Sequence, residues 1–457
     1  MKAILQEYIG QLEQLAASEG LDYDNIDFEE VPDSFMMEIA VYGLPIRMPH
    51  WSFGVRYIYQ LVQHRMGNSR LFEVVFPGNP NRAYLANRNT VEENTLVAAH
   101  VIGHSDFAKN NVLFRNSQQQ VGSRIVEQAA AHARHIAEAI ETHGEARVEA
   151  VLDAALALEQ HIDLDKGLLR PLYDTTKPPP PAPPDNEFHR RFAALDPPAP
   201  RPPRAAPPAA SRLPPQPERD LLWFIAHYGT ELEDWERDIF LAVREESFYF
   251  YPVFACQIMN EGWACFWHAR LLREASFLPH NVYVDAIKSH SDVVRPFAGE
   301  QQVSLQINPY HLGFSMWEHI VAEHGLDYAR TIMCQDDDFG FVRNHLSEDL
   351  ADSLDLFNYE RKPNGEIRAR ATDIDALHEN LLSPKYNFSA PAIEIDSVDV
   401  DGTLNLVHDF ARDGRGLDLD RAEKVLEYIQ RVWRRPVTIT SLDEDDEVHT
   451  LEFAGTT

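Results

Sequence analysis

His100 and His104 stand four residues apart in a stretch that opens Thr90-Val91-Glu92-Glu93. Thr90 with Glu93 three residues on has the form of a capping box, which predicts a helix running through Leu96, Val97 and His100 to His104. On such a helix the two imidazoles lie one turn apart on one face, the spacing by which a helix offers two nitrogens to one metal ion. Gly103 removes a side chain beside them. Paired histidines at this spacing also occur as ordinary exposed or hydrogen-bonded residues, so a second element has to decide. It comes from Val253 to His268, VFACQIMNEGWACFWH, whose only polar side chains are Gln257, Asn260, Glu261 and His268. A helix apolar on nearly every side is a buried helix, which makes Glu261 a buried carboxylate.

An isolated ionised carboxylate in such an interior costs roughly several kcal/mol, so it needs a cation, a metal or hydrogen-bond donors, or it stays protonated. Glu261, Cys265 and His268 recur along one side of the helix, and the His100/His104 face is the partner that would satisfy both Glu261 and His268. Two histidines from one helix and Glu261, with or without His268, from another form the ligand pattern of zinc-type hydrolases. Iron(II) or manganese(II) suits it nearly as well. The competing reading is a structural Glu–His or Glu–Arg pair that fixes helix packing, with Arg244 or Arg270 as the cation.

In the H-E-x-x-H motif the residue after the first histidine is the general base, and here that place is held by Val101. A base must come from elsewhere, and Glu245 and Glu246, adjacent acids in an aromatic setting just before the second helix, are the candidates. His268 is either a fourth ligand or a proton shuttle. Asp106, two residues past His104, is placed to orient a ligand imidazole. Asn110, Asn111, Asn260 and His290, with Asp106, are expected to line a substrate cleft.

The elements that must carry these residues are mostly helical. Leu5, Ile9, Leu12 and Leu15 recur at helical spacing, RIVEQAAAHARHIAEAIETH and EARVEAVLDAALALEQHI read as two helices broken near Gly144, and DLLWFIAHYG and LEDWERDIFLAVREESFYF follow the same period. Pro252 is expected to open a new helix that continues through the NEGWA segment. Short strands are expected at Phe35 to Val41 and Phe72 to Phe76, on either side of the aromatic stretch Pro49-His50-Trp51-Ser52-Phe53-Gly54. Residues 177–217 are dominated by proline and alanine, the mark of a polyproline-like linker or disordered loop. From about residue 386 the pattern alternates in PAIEIDSVDVDG, TLNLVHDF, PVTITSL and VHTLEF around one amphipathic helix, LDRAEKVLEYIQRVW. The fold class is therefore mainly α with small β elements, a helical core plus a small C-terminal α+β appendage. Its expected parts are 1–176, 177–217, 218–385 and 386–457.

Composition excludes some functions. With 72 acidic against 41 basic residues and a net charge of −31, nucleic acid and anionic membrane surfaces are poor partners. The bias fits either adaptation to high salt or a solvated acidic surface encoded by a GC-rich genome. Three cysteines match no disulfide framework, and no run is apolar enough to span a bilayer, so a cytoplasmic, reducing setting is expected.

Three segments together resemble the SpoVR (stage V sporulation protein R) family: AHVIGHSDFAKNNVLF at 99–114, IMNEGWACFWH at 258–268 and NPYHLGFSMWEHI at 308–320. PHWSFG, AYLANRNT and SHSDVVRP support it. Cys256-Gln257 departs from the expected Thr-Lys pair, and the proline-rich stretch is longer than the family needs. The resemblance implies a role in spore cortex formation or in stress and starvation responses, beside a PrkA-type serine kinase and a von Willebrand-like partner protein. Two functions are consistent with it: a zinc-dependent hydrolase-like protein, an amidase or peptidase linked to peptidoglycan remodelling, or a non-catalytic scaffold in a stress-kinase complex.

Overall fold

A computed structural model describes residues 3–65, 73–174, 212–295, 308–356, 358–361, 367–370, 373–414, 416–442 and 447–454. The proline-rich stretch 177–217 lies outside them except for residues 212–217. The architecture is mainly α with small sheets of three, two and four strands, in line with the sequence pattern.

Contacts divide the chain into two units that do not follow the linear parts expected from sequence. One combines Met1–Glu145 with Glu245–Ser389, the other Ala146–Arg244 with Ala390–Thr457. Residues 218–244 thus fold with the C-terminal strands rather than with the NEGWA helix. The reason is pairing across the chain: Glu218 exchanges backbone hydrogen bonds of 2.9 and 2.7 Å with Ile395, and Arg219 is ion-paired at 2.8 Å with Glu394.

The first unit holds His100, His104 and Glu261. A three-stranded sheet joins β1 (Ile26–Val31), β2 (Glu73–Phe76) and β3 (Asn81–Ala86), with β3 central, parallel to β1 and antiparallel to β2. Five helices matter here: α1 (Ala3–Ser18), α2 (Val91–Asn110), α3 (Gln257–Glu274), α4 (His280–Val293) and α5 (Pro309–His324). The capping box forms as the sequence requires: Glu93 N donates to Thr90 Oγ1 at 3.1 Å, and Thr90 N donates to Glu93 Oε2 at 2.8 Å. Beyond this cap α2 runs through the interior, buried from Asn94 to Gly103, with α1, α3 and α4 packed around it.

Glycines set how closely these helices cross. A Cβ on Gly103 would sit 2.7 Å from Ala264 Cα, so Gly103 brings α2 against α3 rather than merely clearing room beside the histidines. Gly262 and Gly313 do the same for α3 and α5, where a Cβ on Gly313 would meet Ile258 O at 2.1 Å. Side chains of any size at these crossings would push the helices apart. At the start of α3 the amides of Ile258 and Met259 both donate to the buried carboxylate of Asp338 at 2.9 Å, and Lys385 balances that charge at 2.9 Å.

Two expectations are corrected. Phe35 to Val41 is helical, not a strand: Asp33–Tyr42 follows Pro32 and ends at Gly43, whose φ of 76° is the left-handed stop of a helix. Pro252 does not open a helix but lies inside Asp234–Ala255, and the next helix starts at Gln257. Proline is tolerated there because the carbonyl its missing N–H would have served, that of Phe248, accepts from Ser117 Oγ at 3.0 Å.

In the second unit the C-terminal strands form as expected. Ile393–Val398, Leu404–His408, Val437–Leu442 and Val448–Phe453 pair in chain order, and the parallel middle pair is bridged by the helix Leu419–Trp433. A parallel pair needs such a crossover, and the helix covers the sheet with its stripe of Leu426, Ile429, Val432 and Trp433.

Candidate metal centre

The close crossing of α2 and α3 brings His100, His104 and Glu261 together. Glu261 Oε2 lies 3.5 Å from His100 Nε2 and 3.4 Å from His104 Nε2. This oxygen is buried and accepts no hydrogen bond. Donors around a tetrahedral ion with bonds of about 2.0–2.1 Å are separated by about 3.3 Å, so Glu261 Oε2 stands from each nitrogen as one ligand stands from another, and the three side chains offer ligand atoms within 4.8 Å of one another.

The other ring nitrogens decide which tautomers are present. His104 Nδ1 is 2.9 Å from Asn260 Oδ1, and an amide oxygen only accepts, so Nδ1 carries a proton and Nε2 is the nitrogen left to face Glu261, with a proton when the ring is charged and with its lone pair when it would bind a metal. His100 Nδ1 is 3.0 Å from His268 Nδ1, and His268 Nε2 is 2.5 Å from His290 Nδ1. For His100 to present an Nε2 lone pair, its Nδ1–H must donate to His268, whose Nε2–H then donates to His290. Burial lowers the proton affinity of His100, His268 and His290, the last to about 4, which keeps this chain of rings neutral. His268 thus has both nitrogens within hydrogen-bond distance of other imidazoles, and with His100 and Cys265 it forms a second group of side chains close enough to hold a metal ion.

Burial pushes the Glu261 carboxyl up, but His104 and His100 outweigh it and hold the group well below the usual carboxylate range. Burial likewise opposes charge on His104, and the carboxylate of Glu261 overcomes it and draws a proton to that ring. A divalent cation at the same point would replace this pairing, since ligand imidazoles bind unprotonated. The donor set of two nitrogens and one oxygen suits zinc, iron(II) or manganese(II).

Two further residues reach the site, and sequence reasoning did not name either. Glu73, first residue of β2, has Oε1 4.0 Å from His100 Nε2; burial, then the charge of Glu261, push its carboxyl up to about 7. Tyr310, near the start of α5, stacks on His100 with ring centroids 6.3 Å apart. Both line a cavity of about 320 Å³ with Leu96, Val97, His100 and His268. The signal for Glu73 was of the same kind as for Glu261, a lone acid in an apolar run, Leu71-Phe72-Glu73-Val74-Val75-Phe76. Tyr310 lay in the NPYHLGF block.

Other sequence candidates lie elsewhere. Glu246 is ion-paired with Arg47 at 2.8 Å and with His132 at 3.3 Å, and Glu245 with His132 at 3.5 Å, so these acids belong to a separate charge cluster and are not set beside the imidazoles as a base. Asp106 does not orient a ligand ring: it accepts from Trp263 Nε1 and from Asp22 N, both at 2.8 Å. Asn110 donates to Asp22 O at 2.9 Å, and Asn111 to Met333 O and Asp336 O at 2.8 and 2.9 Å, so both tie segments together rather than line a cleft. Asn260 and His290 do join the site, through His104 and His268. Arg270 pairs with Glu19 at 2.9 Å, and Arg244 with Asp220, so neither fills the space beside Glu261.

Fold and site define a mainly helical protein with a buried centre of two imidazoles and a carboxylate beside a cavity. The SpoVR like protein family matches residues 1–387, and the SpoVR-like C-terminal domain matches residues 391–444. A protein of Escherichia coli (strain K12) described as uncharacterized protein YcgB is 30% identical over 494 residues, covering 98% of this chain and 94% of the relative. No solved structure matches. The chain belongs to the SpoVR family. Among its described residues no helix is long and apolar enough to cross a membrane.

Proposed function

We propose that this chain is a metal-dependent hydrolase acting on amide bonds, with His100 Nε2, His104 Nε2 and Glu261 Oε2 as the protein ligands of a zinc-class ion. The observation that carries the reading is the buried Oε2 of Glu261, which accepts no hydrogen bond while two imidazole nitrogens stand 3.4 and 3.5 Å from it. A protonated His104 neutralises that oxygen without completing a hydrogen bond to it, whereas a metal ion at the same point would satisfy it directly. The non-catalytic alternative calls for a closed knot of satisfied polar groups, and the orphaned oxygen and adjoining cavity argue against it.

Such an ion supplies Lewis acidity, which makes water acidic near neutral pH and polarises a carbonyl. His100, His104 and Glu261 would hold the ion with three protein ligands, the number found in catalytic rather than closed structural zinc sites. Glu73 takes the place expected of a general base, holding and returning a proton at Oε1 on the cavity side of His100. Leu96, Val97 and Tyr310 wall the cavity and keep bulk water from the reacting bond. The cortex role implied by family resemblance makes cell-wall precursor amides the first substrate class to try, and the cytoplasm the expected compartment; a PrkA-type kinase and a von Willebrand-like protein are partners this reading allows but does not use.

Elemental analysis of the purified protein tests the reading. The native chain should hold about one equivalent of a transition metal and Glu261→Gln far less. Glu73→Gln should keep the metal and the fold but lose amide cleavage. A native protein that stays metal-free after incubation with zinc, iron(II) and manganese(II) overturns the proposal.

A further inference from the structure

The helix Trp51–Arg65 presents a surface that the centre does not use. Trp51, Val55, Ile58, Tyr59 and Val62 follow one another at helical spacing, and each is between 47% and 65% exposed. With Ile46 they make up six of the sixteen large apolar side chains exposed among the described residues. Contiguous apolar surface of this kind marks an interaction site. The helix is held from its other side, where buried Phe53 packs edge-on against Tyr42 at 5.1 Å and under the Arg47 guanidinium at 5.3 Å. A recess of about 490 Å³, lined by Tyr42, Ile46, Trp51 and Gly54 among others, opens at the start of the stripe.

Charge says what covers it. From Ile39 through Phe72 the sequence has no aspartate or glutamate, although the chain has 72 of them in 457 residues, and that run contains Arg47, Arg56, Arg65 and Arg70. Arg56 is exposed beside the stripe. We propose that this face docks an acidic amphipathic helix of a partner protein, its apolar side against Trp51, Val55, Ile58, Tyr59 and Val62 and its carboxylates toward Arg56. A second copy of the same face would bring like charges together. An anionic lipid surface would attract this helix but repel the rest of a chain of net charge −31. Nucleic acid would meet Val55, Ile58 and Val62 between Trp51 and Tyr59, one described exposed cation, Arg56, and the same repulsive net charge of −31.

The test uses the full chain and two labelled helical peptides of about eighteen residues that share one leucine stripe, with glutamate or with lysine at the polar positions. Fluorescence anisotropy should show the glutamate peptide binding at least roughly tenfold tighter than the lysine peptide, more weakly as salt rises. Ile58→Glu and Val55→Glu, each at an exposed position, should each lower that affinity about tenfold or more without changing metal content. Equal affinity for the two peptides, or no binding of the glutamate peptide to the native chain, overturns the proposal. So does a dimer in light scattering that Ile58→Glu dissolves, which assigns the face to a second copy, or binding to phosphatidylglycerol vesicles that Ile58→Glu abolishes, which assigns it to a membrane.

Discussion

His268 lies between two other imidazoles, with its Nδ1 3.0 Å from Nδ1 of His100 and its Nε2 2.5 Å from Nδ1 of His290. The arrangement fixes the His100 tautomer from behind, as outer residues do for ligand histidines. His268→Ala should therefore lower zinc affinity about 10–100-fold without abolishing it, whereas His100→Ala should abolish it. Isothermal titration of the apoprotein distinguishes them. Complete loss of binding in His268→Ala would make His268 a ligand.

The helix crossings that bring the centre together depend on missing side chains. Gly313→Ala forces a methyl group to within 2.1 Å of Ile258 O and should cost about 2–4 kcal/mol. Gly10, inside α1, has open space where its Cβ would go, so Gly10→Ala should stabilise by about 0.5–1 kcal/mol. Urea unfolding of both variants checks the contrast.

Asp106 ties α2 to Trp263 of α3 and to the amide of Asp22. Asp106→Ala leaves both donors unpaired in a buried place and should destabilise by about 2–4 kcal/mol. Metal content of the folded variant should equal that of the native chain. A folded variant without metal would return Asp106 to the site.

The cluster of Glu245, Glu246, Arg47 and His132 predicts a pH dependence of stability. Burial opposes protonation of His132, but hydrogen bonds and charge from Glu245 and Glu246 outweigh it and raise the imidazole from 6.5 to about 9. Because the folded value lies above the unfolded one, the stabilisation is full below about pH 6.5 and is lost as pH rises through about 9. The native Tm should therefore fall between about pH 7 and pH 9.5, and His132→Gln should remove much of that slope. An unchanged slope in the variant would place the pH dependence elsewhere.

What could be read in advance was whatever depends on local pattern. Thr90 and Glu93 announced the start of α2, the apolar surroundings of Glu261 announced its burial, and Gly144 announced a helix break, each visible within a few residues. Features that arise when distant segments meet were not legible. Asp106 reads as a neighbour of His104, but two residues on a helix turn it about 200° away, toward Trp263. Glu245 and Glu246 read as free acids until Arg47 and His132 arrive from elsewhere in the chain. Three consecutive acids, Asp336-Asp337-Asp338, carry no local sign of burial, yet Asp338 is fully buried on the N-terminus of α3 and Asp337 caps the helix that follows it. Pro252 offered a helix start because nothing nearby shows that Ser117 will take up the carbonyl it leaves free.

The most direct test of the account is an anomalous difference map from crystals of the zinc-incubated protein, collected on either side of the zinc edge. The account predicts one strong peak within bonding distance, about 2.0–2.2 Å, of His100 Nε2, His104 Nε2 and a Glu261 oxygen, with His268 still hydrogen-bonded to His100. A map with no peak there, or with a peak bound by His268 and not by His104, would contradict it.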